Sequence, residues 1–314
     1  MKALITGGAG FIGSHVCERL LNEGHEILCL DNFDPYYSPA IKRKNVKHLL
    51  HRNGFVLIKT DIRNKRELEK IFQTRSIDKI VHLAAKPGVR PSIQDPLSYE
   101  HVNIGGTLNL LELGKEYDIE HFIFGSSSSV YGINDKIPFS ESDQVNPISH
   151  YAVSKRACEL FCRAYSHLHN MSISCLRFFT VYGPRQRPEM AVHKFTRLID
   201  QREEVPIYGD GSSKRDYTYI TDIIDGVVKV LNKKFDFEIF NLGSSKTVEL
   251  RYLISLIEEN LGKKATIRRL PEQPGDVPIT CADISKSKRL LHYDPKVSIE
   301  EGIRRFVEWY KEAE

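Results

Sequence analysis

Lys2-Ala3-Leu4-Ile5-Thr6-Gly7-Gly8-Ala9-Gly10-Phe11-Ile12-Gly13 is the stretch that decides the fold. A short apolar run enters a turn with glycine at Gly7, Gly10 and Gly13, then continues into a helical pattern over residues 12–22. Glycines at this spacing permit a tight turn, close approach of the backbone to a pyrophosphate, and close packing of helix on strand. The helix then presents free N–H groups and the positive end of its dipole to phosphate. A Gly-rich turn alone is weak evidence, but here it stands between a strand and a helix, as a dinucleotide site requires.

Working outward, β-rich runs at 26–31, 55–60, 79–84, 121–126 and 173–179 alternate with helical stretches at 65–73, 102–115 and 151–167. That alternation predicts an α/β fold, a doubly wound parallel sheet of the Rossmann type with helices on both faces. Past Gly183 the elements shorten, with breaks at Pro206, Gly209, Gly211, Pro271, Pro274 and Gly275. We expect residues 1–180 to bind NAD and residues 181–314 to form a smaller C-terminal α/β substrate-binding lobe. The boundary is soft, because a later segment is free to rejoin the sheet. At 314 residues the chain is long for one core and suits two lobes.

The second strand ends in Asp31, near the offset of about 20 residues at which an acid binds the adenosine ribose. Its carboxylate would accept from the ribose hydroxyls and repel a 2′-phosphate. Asn32 and Phe33 supply no arginine to reverse that preference, so NAD is expected over NADP.

Tyr151-Ala152-Val153-Ser154-Lys155 puts a phenol and an ammonium four residues apart, on one helix face. Free tyrosine has a pKa of about 10, and bringing it near 7 takes about 4 kcal/mol at ~1.4 kcal/mol per unit. A lysine cation and a positive nicotinamide both favour the phenolate. Tyr151 is then suited to act as a base for a substrate hydroxyl, with Lys155 its electrostatic support. The order of these residues resembles the catalytic set of the short-chain dehydrogenases/reductases, which implies a sugar hydroxyl as substrate, Lys155 also at the nicotinamide ribose, and Ser127 as a hydrogen-bond donor to the forming carbonyl.

The glycine spacing, the Ser127, Tyr151 and Lys155 set, and the order of the remaining marks resemble the extended short-chain dehydrogenase/reductase family over nearly the whole chain. The resemblance implies that Asp61 and Ile62 lie at the adenine. It further implies that Leu83, Ala84, Ala85, Lys86, Asn103 and Phe179 lie along NAD. Within that family, Ser126-Ser127-Ser128-Ser129 stands where 4,6-dehydratases carry Thr-Asp-Glu. UDP-glucuronate decarboxylases have glutamate where Ser129 stands. UDP-galactose 4-epimerases usually have asparagine at Thr180 and arginine at Gln273. The segments 31–37 and 176–191 are similar to those of UDP-glucuronate 4-epimerases. The resemblance therefore implies interconversion of UDP-glucuronate and UDP-galacturonate through a 4-keto sugar. UDP-glucose 4-epimerisation, decarboxylation and a catalytically silent NAD sensor are the alternatives. A sensor has no need of Ser127, Tyr151 and Lys155 together.

A 4-keto glucuronate is a β-keto acid, so an epimerase must hold the carboxylate out of line with the carbonyl π system. Ser128, Ser129 and Thr180 offer hydroxyls for this, and Arg187 or Arg90 a cation. Family likeness also assigns Arg215 to the diphosphate and Asp276 to the uridine ribose.

Charged residues at 27% and hydrophobic residues at 41% are ordinary for a globular protein. A net charge of +4, from 45 basic and 41 acidic residues without a basic stripe, argues against nucleic-acid binding. No apolar run is long enough for a bilayer, and the glycine turn follows the N-terminus too closely for a secretory signal. Six cysteines without Cys-x-x-Cys spacing fit a reduced, cytoplasmic setting. His82 reads as a satisfied core histidine, and no metal site is expected. By resemblance the protein pairs as a homodimer through the helices at 102–115 and 151–167.

Overall fold

Seven parallel strands form the central sheet of the structure, a computed structural model that describes residues 1–134, 136–271 and 277–313. In chain order its first half runs β1 (Lys2–Thr6), α1 (Phe11–Asn22), β2 (Glu26–Asp31), α2 (Pro39–Val46), β3 (Phe55–Lys59), α3 (Lys65–Thr74) and β4 (Lys79–His82). Then come α4 (Val89–Gln94), α5 (Pro96–Tyr99), a π-helical stretch Glu100–Gly105, α6 (Gly106–Glu116), β5 (His121–Ser127), α7 (His150–His169) and β6 (Ile173–Phe178). Strands β1 to β6 lie in the order β3-β2-β1-β4-β5-β6, which puts the glycine turn at the switch point between β1 and β4.

The remainder comprises β7 (Thr180–Tyr182), α8 (Ala191–Asp200), β8 (Glu204–Tyr208), β9 (Lys214–Arg215), β10 (Tyr217–Tyr219), α9 (Ile220–Leu231) and β11 (Phe237–Leu242). It closes with β12 (Val248–Glu249), α10 (Leu250–Leu261), β13 (Thr266–Leu270), α11 (Ser285–Leu291) and α12 (Ile299–Ala313). Three two-stranded pairs, β7–β10, β9–β12 and β8–β13, stand apart from the main sheet. Strand β11 does not join them. It returns to pair with β6 along its whole length, so the sheet takes its seventh strand from beyond residue 180.

Local sequence explains the main elements. Strand β1 is apolar and buried at Ala3, Leu4 and Ile5, and β6 is buried along its whole length, as strands covered on both faces must be. Each fully buried aliphatic side chain contributes roughly 1.5–3 kcal/mol relative to exposure. Helix α7 starts where the Ser149 hydroxyl accepts from Ala152 N at 3.2 Å and stops at Asn170, whose left-handed backbone (φ 55°) caps it.

His82 ends β4 inside a directed chain of hydrogen bonds. Ala84 N–H donates to Thr6 Oγ1 (3.2 Å), which donates to His82 Nδ1 (2.7 Å). His82 Nε2–H then donates to Thr107 Oγ1 (2.9 Å), which donates to the Asn103 carbonyl. Every link is satisfied by a neutral imidazole. Burial pushes the pKa values of His15, His82 and His121 down to about 4, about 3 and about 4. Unfolded histidines titrate near 6.5. With folded values below unfolded ones, the stability these groups contribute is complete above pH 6.5 and is lost as pH falls from there towards 4. The expected loss is roughly 2 kcal/mol per histidine by pH 5, read as a fall in the urea midpoint. A midpoint that stays level from pH 7 to pH 5 would contradict neutral burial.

Candidate active site

The three glycines of the opening turn do different work. Gly7 has φ +67°, and a Cβ there would lie 2.8 Å from Ala84 N. A Cβ on Gly13 would strike the Gly7 carbonyl oxygen at 2.2 Å. On Gly10 it would meet only that carbonyl oxygen at 3.1 Å and Tyr37 Oη at 3.9 Å. Gly7 and Gly13 are thus fixed by protein packing, whereas Gly10 leaves bare backbone facing a cavity of about 520 Å³. Phe11, Ile12 and Gly13 line the same cavity, and no side chain caps the helix they begin. Their N–H groups have no partner within the helix. A bare glycine backbone at an uncapped helix start fits the pyrophosphate of a dinucleotide.

Asp31 lines the cavity, 4% exposed. Its carboxylate accepts from Ala9 N at 3.2 Å, from Phe33 N at 2.8 Å and from Lys42 Nζ at 3.3 Å. The cation is a residue the sequence reading missed. Lys42 comes from α2, and nothing in the spacing of Asp31, Asn32 and Phe33 announces it. Ile62, Leu83, Ala84, Ala85, Lys86 and Phe179 also line the wall, as does Asn32.

Three expected residues are not among those that line the cavity. Asp61 is not on the cavity wall. Burial works upward on its carboxyl, but three hydrogen bonds from Arg63 at 2.9 Å, one of them from its backbone N–H, and one from Asn32 at 2.8 Å bring its pKa down to about 2. Asn103 is buried and spends its amide on the protein: it accepts from Lys86 N (2.7 Å) and donates to Lys86 O (3.1 Å) and Ser154 Oγ (2.9 Å). It braces residue 86 against α7 and does not face the cavity. Arg90 lies exposed over the Tyr208 ring at 4.2 Å, also off the wall. Of the two candidate arginines for a carboxylate, only Arg187 lines the cavity.

Ser127, Tyr151 and Lys155 open onto that cavity together. Lys155, 4% exposed, donates to the Gly125 carbonyl at 2.7 Å. This partner is a carbonyl, so the positive charge is not neutralised locally. Ser127 Oγ accepts from Ser129 N (3.2 Å) and Ser129 Oγ (2.9 Å), which leaves its own proton to offer to a ligand. The Tyr151 ring stands edge-on to Tyr99, 6.2 Å between centroids, and Tyr99 is tied to the Pro87 carbonyl.

Ser128, Ser129, Thr180, Arg187 and Arg215 complete the wall. Thr180 N donates to the Asp216 carbonyl at 3.0 Å, which fixes the strand that presents its hydroxyl. Arg187 meets Glu189 at 3.2 Å and sits over the Tyr36 ring at 5.9 Å. Arg215 donates to the carbonyls of Lys214 and Pro278 at 3.0 and 3.2 Å. Gln273 and Asp276 lie outside the described residues. Among the described residues no group of three His, Cys, Asp or Glu side chains is arranged to hold a metal.

Behind the serine run lies a buried ion pair that the sequence reading did not find. Glu159 of α7 receives two hydrogen bonds at 2.9 Å from Arg177 of β6, one at 2.6 Å from Ser126 Oγ and one at 3.0 Å from Arg156. Arg177 also lies 4.7 Å over the Tyr131 ring, and Tyr131 Oη donates to Asn241 at 2.7 Å. The pair ties the helix carrying Tyr151 and Lys155 to the strand end carrying Ser127 and to the strand leading to Thr180. Eighteen residues separate the partners, so no local pattern marks them.

The chain is 42% identical to the UDP-glucuronate 4-epimerase of Thermodesulfobacterium geofontis, over 98% of this chain and 96% of that one. It superposes on the Bacillus cereus UDP-glucuronic acid 4-epimerase, crystallised with UDP-glucuronic acid and NAD, with a TM-score of 0.95 at 39% identity and full coverage of both chains. The UDP-glucose 4-epimerase of Thermotoga maritima gives 0.92 at 33% identity, covering 100% of this chain and 99% of that one. The family model described as GDP-mannose 4,6 dehydratase matches residues 4–306, and the protein belongs to that family of extended short-chain dehydrogenases/reductases.

Proposed function

We infer that the protein is an NAD-dependent isomerase that interconverts UDP-glucuronate and UDP-galacturonate at C4. One observation carries this reading. Ser127, Tyr151 and Lys155 share a single cavity with the glycine turn and with Ser128, Ser129, Thr180 and Arg187.

NAD, when bound, supplies reversible storage of a hydride. Gly7, Gly10 and Gly13 would hold its pyrophosphate, Asp31 its adenosine ribose, and Lys155 its nicotinamide ribose. Tyr151 takes the proton of the sugar C4 hydroxyl and gives it back when the ketone is reduced on its other face. Ser127 donates to that oxygen as it becomes a carbonyl. Ser128 and Thr180, with Arg187 and with Ser129 once its hydroxyl swings from Ser127 to the ligand, hold the C5 carboxylate away from the carbonyl π system, so the 4-keto acid keeps its carbon dioxide. Arg215 binds the diphosphate of UDP.

Purified protein incubated with UDP-glucuronate should form UDP-galacturonate, resolved by anion-exchange chromatography. A UDP-pentose as main product would assign decarboxylation instead. Exclusive turnover of UDP-glucose would assign the neutral sugar.

Arg187→Ala is expected to lower kcat/KM for UDP-glucuronate by roughly 10- to 100-fold, the size of a lost hydrogen bond to a charged group. UDP-glucose, which has no carboxylate, should be affected less than twofold by the same estimate. Equal losses on both sugars would move Arg187 to the nucleotide.

A homodimer formed through α6 and α7 belongs to the same reading. Val153, Leu160, Phe161 and Leu168 of α7 are 48%, 51%, 37% and 68% exposed, and their spacing puts them on one helix face. A second copy of the chain is the occupant that buries such a stripe. Light scattering should give twice the chain mass, and Leu160→Asp should halve it. A monomeric wild type would remove this part of the proposal alone. We also place the protein in the cytoplasm, a setting that fits its free, buried cysteines; among the described residues no helix is long and apolar enough to cross a membrane.

A further inference from the structure

The segment that delivers Arg187 is fastened to the cofactor-side helix by residues outside the cavity. Arg185 has φ +65°, a left-handed backbone that costs a non-glycine residue about 1–2 kcal/mol and persists only where surrounding contacts enforce it. Those contacts are present. Arg185 Nη2 reaches Glu18 Oε2 at 2.7 Å, and Nη1 lies 3.5 Å from Ser14 Oγ. The preceding carbonyl, of Pro184, accepts from His15 Nε2 at 2.9 Å. On the other side Gln186 is buried, donating to Val181 O at 3.1 Å and accepting from His193 N at 3.1 Å. Ser14, His15 and Glu18 all belong to α1, whose first turn lines the cavity.

We propose that Arg185 is a positioning residue for substrate selection: its latch onto Glu18 enforces the left-handed turn that aims Arg187 at the sugar carboxylate. This rests on the uronate reading above. Glu18 also meets His48 at 3.1 Å, so it keeps a partner when Arg185 is replaced. Alanine at 185 loses the latch and keeps the backbone penalty, so the turn relaxes and Arg187 moves off its aim. Glycine loses the latch without the penalty, so it should retain more of the turn.

The test measures KM and kcat for UDP-glucuronate, and affinity for UDP-glucose as substrate or competitor, in Arg185→Ala, Arg185→Gly, Glu18→Gln and Arg187→Ala. Arg185→Ala should raise KM for UDP-glucuronate about tenfold, as expected for a displaced binding group, with kcat and UDP-glucose affinity within twofold of wild type. Arg185→Gly should recover part of the loss, and Glu18→Gln should shift KM in the same direction by a smaller factor. On an Arg187→Ala background, Arg185→Ala should add nothing, because the latch acts through that side chain. Should Arg185→Ala fail to fold, the glycine and Glu18 variants carry the same comparison. Equal effects on both sugars, or additive effects with Arg187→Ala, would overturn the latch. If Arg187→Ala itself fails to discriminate the sugars, Arg187 belongs to the nucleotide and the latch is wrong; if the wild type forms no UDP-galacturonate, the uronate reading falls first and takes the latch with it. If it discriminates and Arg185 and Glu18 variants do not, the latch alone is wrong.

Discussion

Replacing Tyr151 with phenylalanine is expected to lower turnover of UDP-glucuronate on the order of 10³-fold, within the range for a lost general base. The change removes one oxygen and keeps the ring, so the edge-on packing against Tyr99 and the cavity wall should survive. Neighbouring phenols are poor substitutes. Tyr99 donates to the Pro87 carbonyl, and burial pushes its pKa upward. Tyr36 is also pushed upward, first by burial and then by Glu189. Lys155 stays held on the Gly125 carbonyl in the variant, so the loss reports on the missing oxygen alone. Product formation at saturating UDP-glucuronate is the measurement, with a melting curve to show that the fold is intact. Turnover within about tenfold of wild type would mean that another group takes the proton, since general-base losses exceed that.

Glu159→Ala should have the largest effect on stability. Arg177 is 1% exposed, and with Glu159 gone its guanidinium would be left charged in the interior with the Tyr131 ring beside it. Breaking one side of a buried pair costs about 3–5 kcal/mol. Replacing both partners with methionine should restore most of that loss, because no unpaired charge remains. Urea unfolding of the single and double variants separates the two cases. A single variant within about 1 kcal/mol of wild type would mean that water or a shifted side chain reaches Arg177, against the usual cost of stranding a buried charge.

Much of the fold was legible because the signals are local. The run from Lys2 to Gly13 shows strand, turn and helix within one window, and five further strands repeat the apolar pattern. Ser127, Tyr151 and Lys155 were legible because two of them share a helix face and the third ends a strand. What could not be read depends on register across the sheet. Glu159 meets Arg177 only because α7 packs over β5 and β6, and Lys42 reaches Asp31 only because α2 folds back over the turn. Asn103 illustrates a subtler miss. Its neighbourhood was anticipated, but its amide is consumed by Lys86 and Ser154, a division of labour that no spacing encodes. Arg90 and Arg187 looked equivalent as cations, and only the cavity wall tells them apart.

The return of β11 to the sheet has a consequence for how the chain is synthesised. Until residues 237–242 have left the ribosome, β6 presents an unpaired flank of backbone donors and acceptors at the edge of the core. Exposed flanks of that kind invite pairing with other chains. A gene fragment ending at residue 180 would therefore yield insoluble material, and the nascent polypeptide carries this open flank from the emergence of β6 until that of β11.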